Sequence, residues 1–520
     1  MRHIWGKNLL LGLIAVICSL FLTTMAAAEQ GVFVIGFDAG DTMGWDPWRQ
    51  APPTPDKFTC SILYNGLVRF KPGDINPANI EPDLAEKWEK SGDGLTWTFR
   101  LRKGVQWHRD FGEVTSEDVV YSLTNARDNS FARKDFASFK EIKALDKYTV
   151  QIVLAEPVPS LLGIVTNYHG GWIQCKKARE ELGKDYALKP VGTGPFAYKQ
   201  YIPNQRAVFV AHENYFRGKP MLQKVVVRYM PDQSSREMAF RKGGLNVIEG
   251  PREQQWVDKM KKLPDTVIDV FGPGEHITLH FNTAKKPFDD IRVRQAIAHA
   301  IDREGLIEFM GKDVAIPLYS PISMDYLGAT EDVKRYPYNP EKAKQLLAEA
   351  GLKGGFTFED VITEMAVYKQ PQEVIQAQLR KVGVNLKLRV VQHPAYHKLI
   401  RADTNHMVNY ICARFPVADQ LLTQFFHSSS IVGTKTAITN FSHYKEVDNL
   451  LDKARVSPNI DEQVVLWEQV QQKVLKDAVA YPLYTAKFVY ARKSWVDYGY
   501  ELKSTLMLSP PVYYNTKVAK

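Results

Sequence analysis

Leu95-Thr96-Trp97-Thr98-Phe99-Arg100-Leu101 alternates apolar and polar side chains, the pattern of a strand with one buried face. It runs into Arg102-Lys103-Gly104-Val105-Gln106-Trp107-His108, where the glycine suits a turn. Tyr148-Thr149-Val150-Gln151-Ile152-Val153-Leu154 repeats the alternation, and Gln223 to Tyr229, with three consecutive valines, reads as a buried strand. Helices are equally legible. Asn339-Pro340-Glu341 supplies a cap, a proline in the first turn and an early acid; Ala343, Leu346, Leu347 and Ala350 form the apolar stripe and Gly351 the stop. Val374 to Val382 reads as a helix ended by Gly383 and followed by the strand Val384 to Val390. Gln463 to Val479 reads as a long amphipathic helix closed by Tyr481-Pro482, and Tyr444 to Ala454 is helix-like. Strand and helix mixed throughout, without repeat or low-complexity linker, indicate packed α/β lobes.

The chain has 520 residues, 45% hydrophobic and 24% charged, which excludes a disordered or fibrous protein. Only one apolar stretch is long enough to meet a membrane, and it stands at the start. Arg2 and Lys7 give a positive region, Leu9 to Leu22 an apolar core, and Ala26-Ala27-Ala28 a cleavage site before Glu29. These are the parts of a secretory signal peptide over residues 1–28. An uncleaved anchor is the rival, although a core of about 14 residues falls short of the roughly 20 that span a bilayer. A lipoprotein is a second rival through Cys18, but Ile17 stands where a small residue is wanted. The expectation is export to the periplasm.

The formal charge of +9 is spread beside acids, as in Glu86-Lys87-Trp88-Glu89-Lys90. No patch or motif points to nucleic acid. Beyond the signal, Cys60, Cys175 and Cys412 are an odd set without close spacing, so they specify neither a disulfide nor a metal site. Histidines such as His108, His169 and His276 are scattered without metal-ligand spacing, and no cofactor or metal is expected. The signatures of hydrolase elbows, zinc proteases and phosphate loops are missing. Ser442-His443-Tyr444-Lys445 has the S-x-x-K spacing of acyl-enzyme hydrolases but lacks their other motifs. Gly192-Thr193-Gly194-Pro195 lacks the lysine and following helix of a phosphate loop and reads as a tight turn. With 10 Trp, 24 Tyr and 25 Phe, the residues point to a binder with an aromatic-walled cleft rather than an enzyme.

Several separated stretches are similar to the extracellular solute-binding proteins of the peptide/nickel class (family 5) of ABC importers. They include Leu63-Tyr64-Asn65-Gly66-Leu67, Pro82-Asp83-Leu84-Ala85 with Trp88, and Trp97 to His108. Ser116-Glu117-Asp118-Val119, Pro190 to Phe196 and Asn214 to Pro220 follow, and then Phe288 to Ala296 and Ala300-Ile301-Asp302-Arg303. The resemblance implies a two-lobed, type II periplasmic binding fold that closes on its solute, with an extra third domain. Carried onto this chain, lobe one takes residues 29–70, 190–279 and 483–520. The extra domain takes 71–189, and lobe two 280–482. The implied partners are a peptide or peptide-like solute and an inner-membrane permease, for a monomer without catalytic residues; the alternatives are a plain di- or oligopeptide binder, a binder of metal chelates or haem, or, in another class, a periplasmic hydrolase or chaperone on the same scaffold.

Peptide-binding members resemble one another in a Gly-Trp-x-x-Asp segment whose Asp pairs with the peptide amine. Here the matching stretch is Tyr410 to Leu421, and an ungapped register puts Arg414 in that place. A guanidinium pairs bidentately with carboxylate or phosphate, so Arg414 is expected to face an anionic group of the solute. The alternative is a shifted register with Asp419 in the acid's role. Trp45 and Asp46, in Met43 to Trp48, and Tyr168 and His169, in Asn167 to Gly171, are further candidates for the cleft.

Overall fold

The computed structural model describes residues 31–519 apart from 49–52, 131, 132, 134, 159, 167, 169, 414, 415 and 436–438. The candidates Arg414 and His169, and the signal segment 1–28, lie outside the described residues. One sheet organises the molecule. Its strands are β1 (Val32–Phe37), β2 (Phe196–Ile202), β3 (Arg206–Ala211), β4 (Lys224–Tyr229), β5 (Val247–Glu249), β6 (Thr266–Phe281), β7 (Ala315–Pro317), β8 (Met407–Cys412) and β9 (Ala480–Lys493). They lie in the order β8-β6-β9-β5-β1-β4-β3-β2, with β7 also paired to β9. β1 is parallel to β4 and β5, and β9 is antiparallel to β5 and β6.

β6 and β9 are long because they belong to both lobes. Phe271, Phe488 and Tyr490 pack into the core around Phe33, Ile35, Phe58 and Phe209. Ile277, Leu279, Phe281, Leu483, Tyr484 and Ala486 pack into a second core around Phe288, Ile375, Trp467 and Val470. The register breaks between them: Phe271 faces Phe488 and Glu275 faces Ala486, so Gly272-Pro273-Gly274 bulges opposite Lys487. Gly274 has φ +76°, and a Cβ there would lie 2.5 Å from the Ala486 carbonyl oxygen. The bulge therefore needs glycine. The second core thus takes side chains of β6 from Ile277 onward and of β9 up to Ala486.

The segment 71–189 forms its own four-stranded antiparallel sheet, Ala85–Lys90, Thr96–Leu101, Thr149–Leu154 and Phe139–Asp146. Its Trp97, Phe99, Val150 and Ile152 share one continuous core with lobe one. In lobe two the helix Pro340–Glu349 begins as expected, the Asn339 side chain accepting from Lys342 N at 2.9 Å. Two other boundaries move. The helix read over Val374 to Val382 starts at Ala366 and ends at Arg380, and the long helix runs Ile460–Lys476. Tyr481-Pro482 lies inside β9, where Pro482 faces Thr278, rather than closing that helix.

Candidate ligand-binding site

In open α/β sheets, ligands sit outside the carboxyl ends of the strands, where the strand order reverses. Here β1 runs into Asp38, β5 into Glu249 and Arg252, and β8 ends at Cys412. The helix α1 (Thr54–Leu63) follows β1, and the end of β8 lies just past the bulge, Cys412 opposite His276. Glu275, the first paired residue beyond the bulge, is joined to Arg252 by an ion pair of 2.5 Å. Burial pushes its carboxyl up, but Arg252, Lys57 and His276 together hold it below the usual range. Glu249 accepts from Asp38 N at 3.1 Å; burial and the Asp38 charge raise it to about 7. Asp38 in turn lies 3.5 Å from Arg236.

Tyr168 reaches this junction from the inserted segment and packs against both cores. The Lys57 ammonium sits 4.6 Å from the centre of its ring. A separate cavity of about 100 Å³ is lined by Ser61 and Asn65 of lobe one, Thr166 and Trp172 of the insert, and Ser504 and Met507.

The lobe-two wall follows from the sequence Tyr410-Ile411-Cys412. Tyr410 accepts from Arg401 at 3.1 Å and packs on Phe425 and Phe441. Arg401 also donates to His397 Nδ1 at 3.1 Å, and His397 Nε2 lies 3.1 Å from His393 Nε2. This pair does stand at i, i+4, a spacing missed in the sequence. A guanidinium only donates, so His397 carries its proton on Nε2 and gives it to His393. The lone pairs that a metal would need are engaged. Burial, Arg401 and His393 lower His397 to about 4. Among the described residues no group of three or more His, Cys, Asp or Glu side chains could hold a metal ion.

Two candidates are structural where they stand. Trp45 is fully buried against Tyr198, Tyr201 and Phe209, so it fills the lobe-one core and offers no face to a solute. Asp46 is 7% exposed and ion-paired to Arg179, whose guanidinium also lies over Trp48 and Tyr186. That network ties the loop after β1 to the insert. Asp419 lies in the first turn of the helix Ala418–Phe426, its Oδ1 3.4 Å from Thr423 Oγ1. Burial raises its carboxyl against the pull of Arg455. Only Tyr168 of these four lies at the junction described above.

The motifs set aside are architectural too. Gly192 packs so closely that a Cβ would fall 1.8 Å from the Leu63 carbonyl oxygen. Ser442 donates to Asn440 at 2.9 Å, Tyr444 pairs with Asp477, and Lys445 is exposed. The helix after them begins at Asp448. Cys60, Cys175 and Cys412 are buried thiols without a disulfide.

Lys57, Arg252 and Glu275 were not singled out in the sequence. Only Glu275 carried a signal, a lone charge between Phe271-Gly272-Pro273-Gly274 and His276-Ile277; Lys57 follows Asp56 and Arg252 precedes Glu253-Gln254-Gln255, so neither stands out. Such a charge marks either a solvated face or a functional one, and one-dimensional pattern does not separate the two.

Two lobes sharing two long hinge strands, with polar groups gathered where the lobes meet, define a clamp that binds a solute. The chain belongs to the bacterial extracellular solute-binding proteins, family 5, whose model matches residues 79–432. It is 30% identical to the dipeptide-binding protein of Escherichia coli over 88% of this chain and 90% of the relative. To heme-binding protein A of Haemophilus influenzae it is 32% identical over 85% of each. Among solved structures it is similar to MoaA of A. tumefaciens R10 in complex with mannopinic acid. The identity is 38%, the TM-score 0.81, and the match covers 95% of this chain and 100% of that one. The DppA protein of Helicobacter pylori, in complex with the peptide STSA, matches at 28% and TM-score 0.77, over 94% and 98%. The protein is thus a solute-binding protein of an ABC importer.

Proposed function

We propose that this protein is exported to the periplasm by its cleaved segment 1–28, captures an opine-type acid such as mannopinic acid as a monomer, and delivers it to an inner-membrane permease. Its lobes close about the hinge at 272–274 and 487, and the closed liganded form is the one the permease receives. No bond of the solute is broken and no nucleic acid is involved. The observation that carries this reading is the 38% identity, over the full length of the other chain, to a protein crystallised with mannopinic acid. The cations Lys57 and Arg252 at the junction and the sequence Cys412-Ala413-Arg414 agree with an anionic solute. Arg414 is assigned to a carboxylate, where peptide binders place an acid for an amine.

A free-amine dipeptide is the second reading, favoured by the dipeptide-binding relative. Thermal shift on protein stripped of solute by unfolding and refolding separates the two. A solute at 100 times its Kd stabilises by roughly 2.7 kcal/mol. Mannopinic acid is expected to shift the melt and dipeptides are not; a shift with dipeptides alone overturns the proposal. Arg414→Glu is expected to abolish the mannopinic acid shift, and an unchanged shift removes Arg414 from the site.

A further inference from the structure

Lys57 closes the first turn of α1, among Asp56, Phe58, Thr59, Cys60, Ile62 and Leu63, all buried. It is itself only 8% exposed. A lysine so deeply covered is ordinarily matched by a carboxylate, because an ammonium out of water is costly unless paired. Lys57 has no such match: among the described residues no carboxylate oxygen lies within 4.0 Å of its ammonium. The adjacent Asp56 is spent elsewhere, accepting from Thr42 Oγ1 at 2.5 Å and Met43 N at 2.8 Å. Glu275 feels the Lys57 charge but is held by Arg252. What the ammonium does have is the ring of Tyr168 at 4.6 Å, a modest attraction.

The position decides what this cation is for. A lysine that only covers apolar surface carries its head outward into bulk water. The Lys57 head lies over the Tyr168 ring of the inserted segment, its charge acts on Glu275 of strand β6, and that ring packs against both cores. An anion arriving there is gripped by lobe one while it lies against lobe two, which couples its binding to closure.

We propose that Lys57 is a ligand-binding residue, its ammonium receiving a carboxylate of the captured solute at the junction of the lobes. This rests on the reading of an anionic solute but not on Arg414. Lys57 is a compact point charge rather than a fork, so it supplies charge recognition without demanding bidentate geometry.

Titration calorimetry with mannopinic acid on the wild type, Lys57→Met and Lys57→Gln tests it. Both variants are expected to bind at least tenfold more weakly while their ligand-free melting temperatures hold or rise. Affinity within twofold of wild type overturns the assignment and leaves the anionic-solute reading standing. If the wild type takes a dipeptide and no acid, that reading fails. The probes then become the dipeptide and its C-terminal amide. Wild-type preference for the free carboxylate, lost in Lys57→Met, supports the assignment; equal preference in both overturns it. If neither probe binds, the ligand-free melts decide: a rise in Lys57→Met indicates an unpaired ammonium, and a fall overturns the proposal. Failure of both variants to fold also overturns it, because the charge is then structural.

Discussion

Arg252 Nη1 lies 2.5 Å from Glu275 Oε2, joining the loop after β5 to the first paired residue beyond the hinge bulge. One partner follows β5 and the other lies on β6 beyond the bulge, so the pair sits where β6 passes from one core to the other. Both side chains are a little over a quarter exposed, which screens the interaction below that of a fully buried pair. Arg252→Met is expected to cost about 1–3 kcal/mol at neutral pH by leaving Glu275 unpaired. Because Glu275 sits below its unfolded value of 4.5, its stabilisation is present above that pH and fades as pH falls through the folded value. Urea melts of both proteins from pH 7 to 3 check this: the gap closes in acid, and a constant gap rejects the ion-pair account.

Asp56 titrates in the opposite sense. It is completely buried and raised from 3.8 to about 6 by burial, against the bonds from Thr42 and Met43. The folded protein keeps a proton that the unfolded chain releases near pH 4. This residue therefore removes stability as pH climbs from about 4 to 6, by about 3 kcal/mol. Asp56→Asn takes no part in that loss. Its stability relative to wild type should rise across the same window and be flat above it; a difference independent of pH rejects the shift.

Arg179 stabilises the fold without touching the solute. With Asp46 4% and Arg179 12% exposed at the side chain, Arg179→Met leaves a buried carboxylate without its cation and should cost about 3–5 kcal/mol. Calorimetry on the remaining folded protein should return wild-type affinity. A loss of affinity without loss of stability would return Asp46 to the binding site.

Gly274→Ala probes the hinge. The added methyl meets the Ala486 carbonyl at 2.5 Å from a left-handed backbone, so the bulge must rearrange, at about 1–3 kcal/mol. We expect a lower melting temperature and a smaller solute-induced compaction in small-angle scattering. Wild-type compaction would place the hinge elsewhere.

Periodicity, caps and glycine stops are local properties, and from them the strands at Thr96–Leu101 and Thr149–Leu154 and the helix at Pro340–Glu349 were read directly. Family resemblance, carried by blocks such as Trp97 to His108, supplied the two lobes and the insert. Locality also explains the errors. Tyr481-Pro482 looks like a helix stop in one dimension, yet it lies within a hinge strand because β6 is there to pair with it. Trp45 looks like a stacking platform in a polar loop until β2 and β3 fold over it. Lys57 looks like one more solvated lysine, and becomes a largely covered cation over an aromatic ring only when Tyr168 and Glu275, remote in sequence, arrive beside it. The sequence by itself determined the elements, the lobed architecture and the class of protein, since these rest on short-range pattern and on shared motifs. Only the tertiary structure decided which charges meet a solute and which are spent on one another, because burial and pairing belong to neighbours brought together by folding.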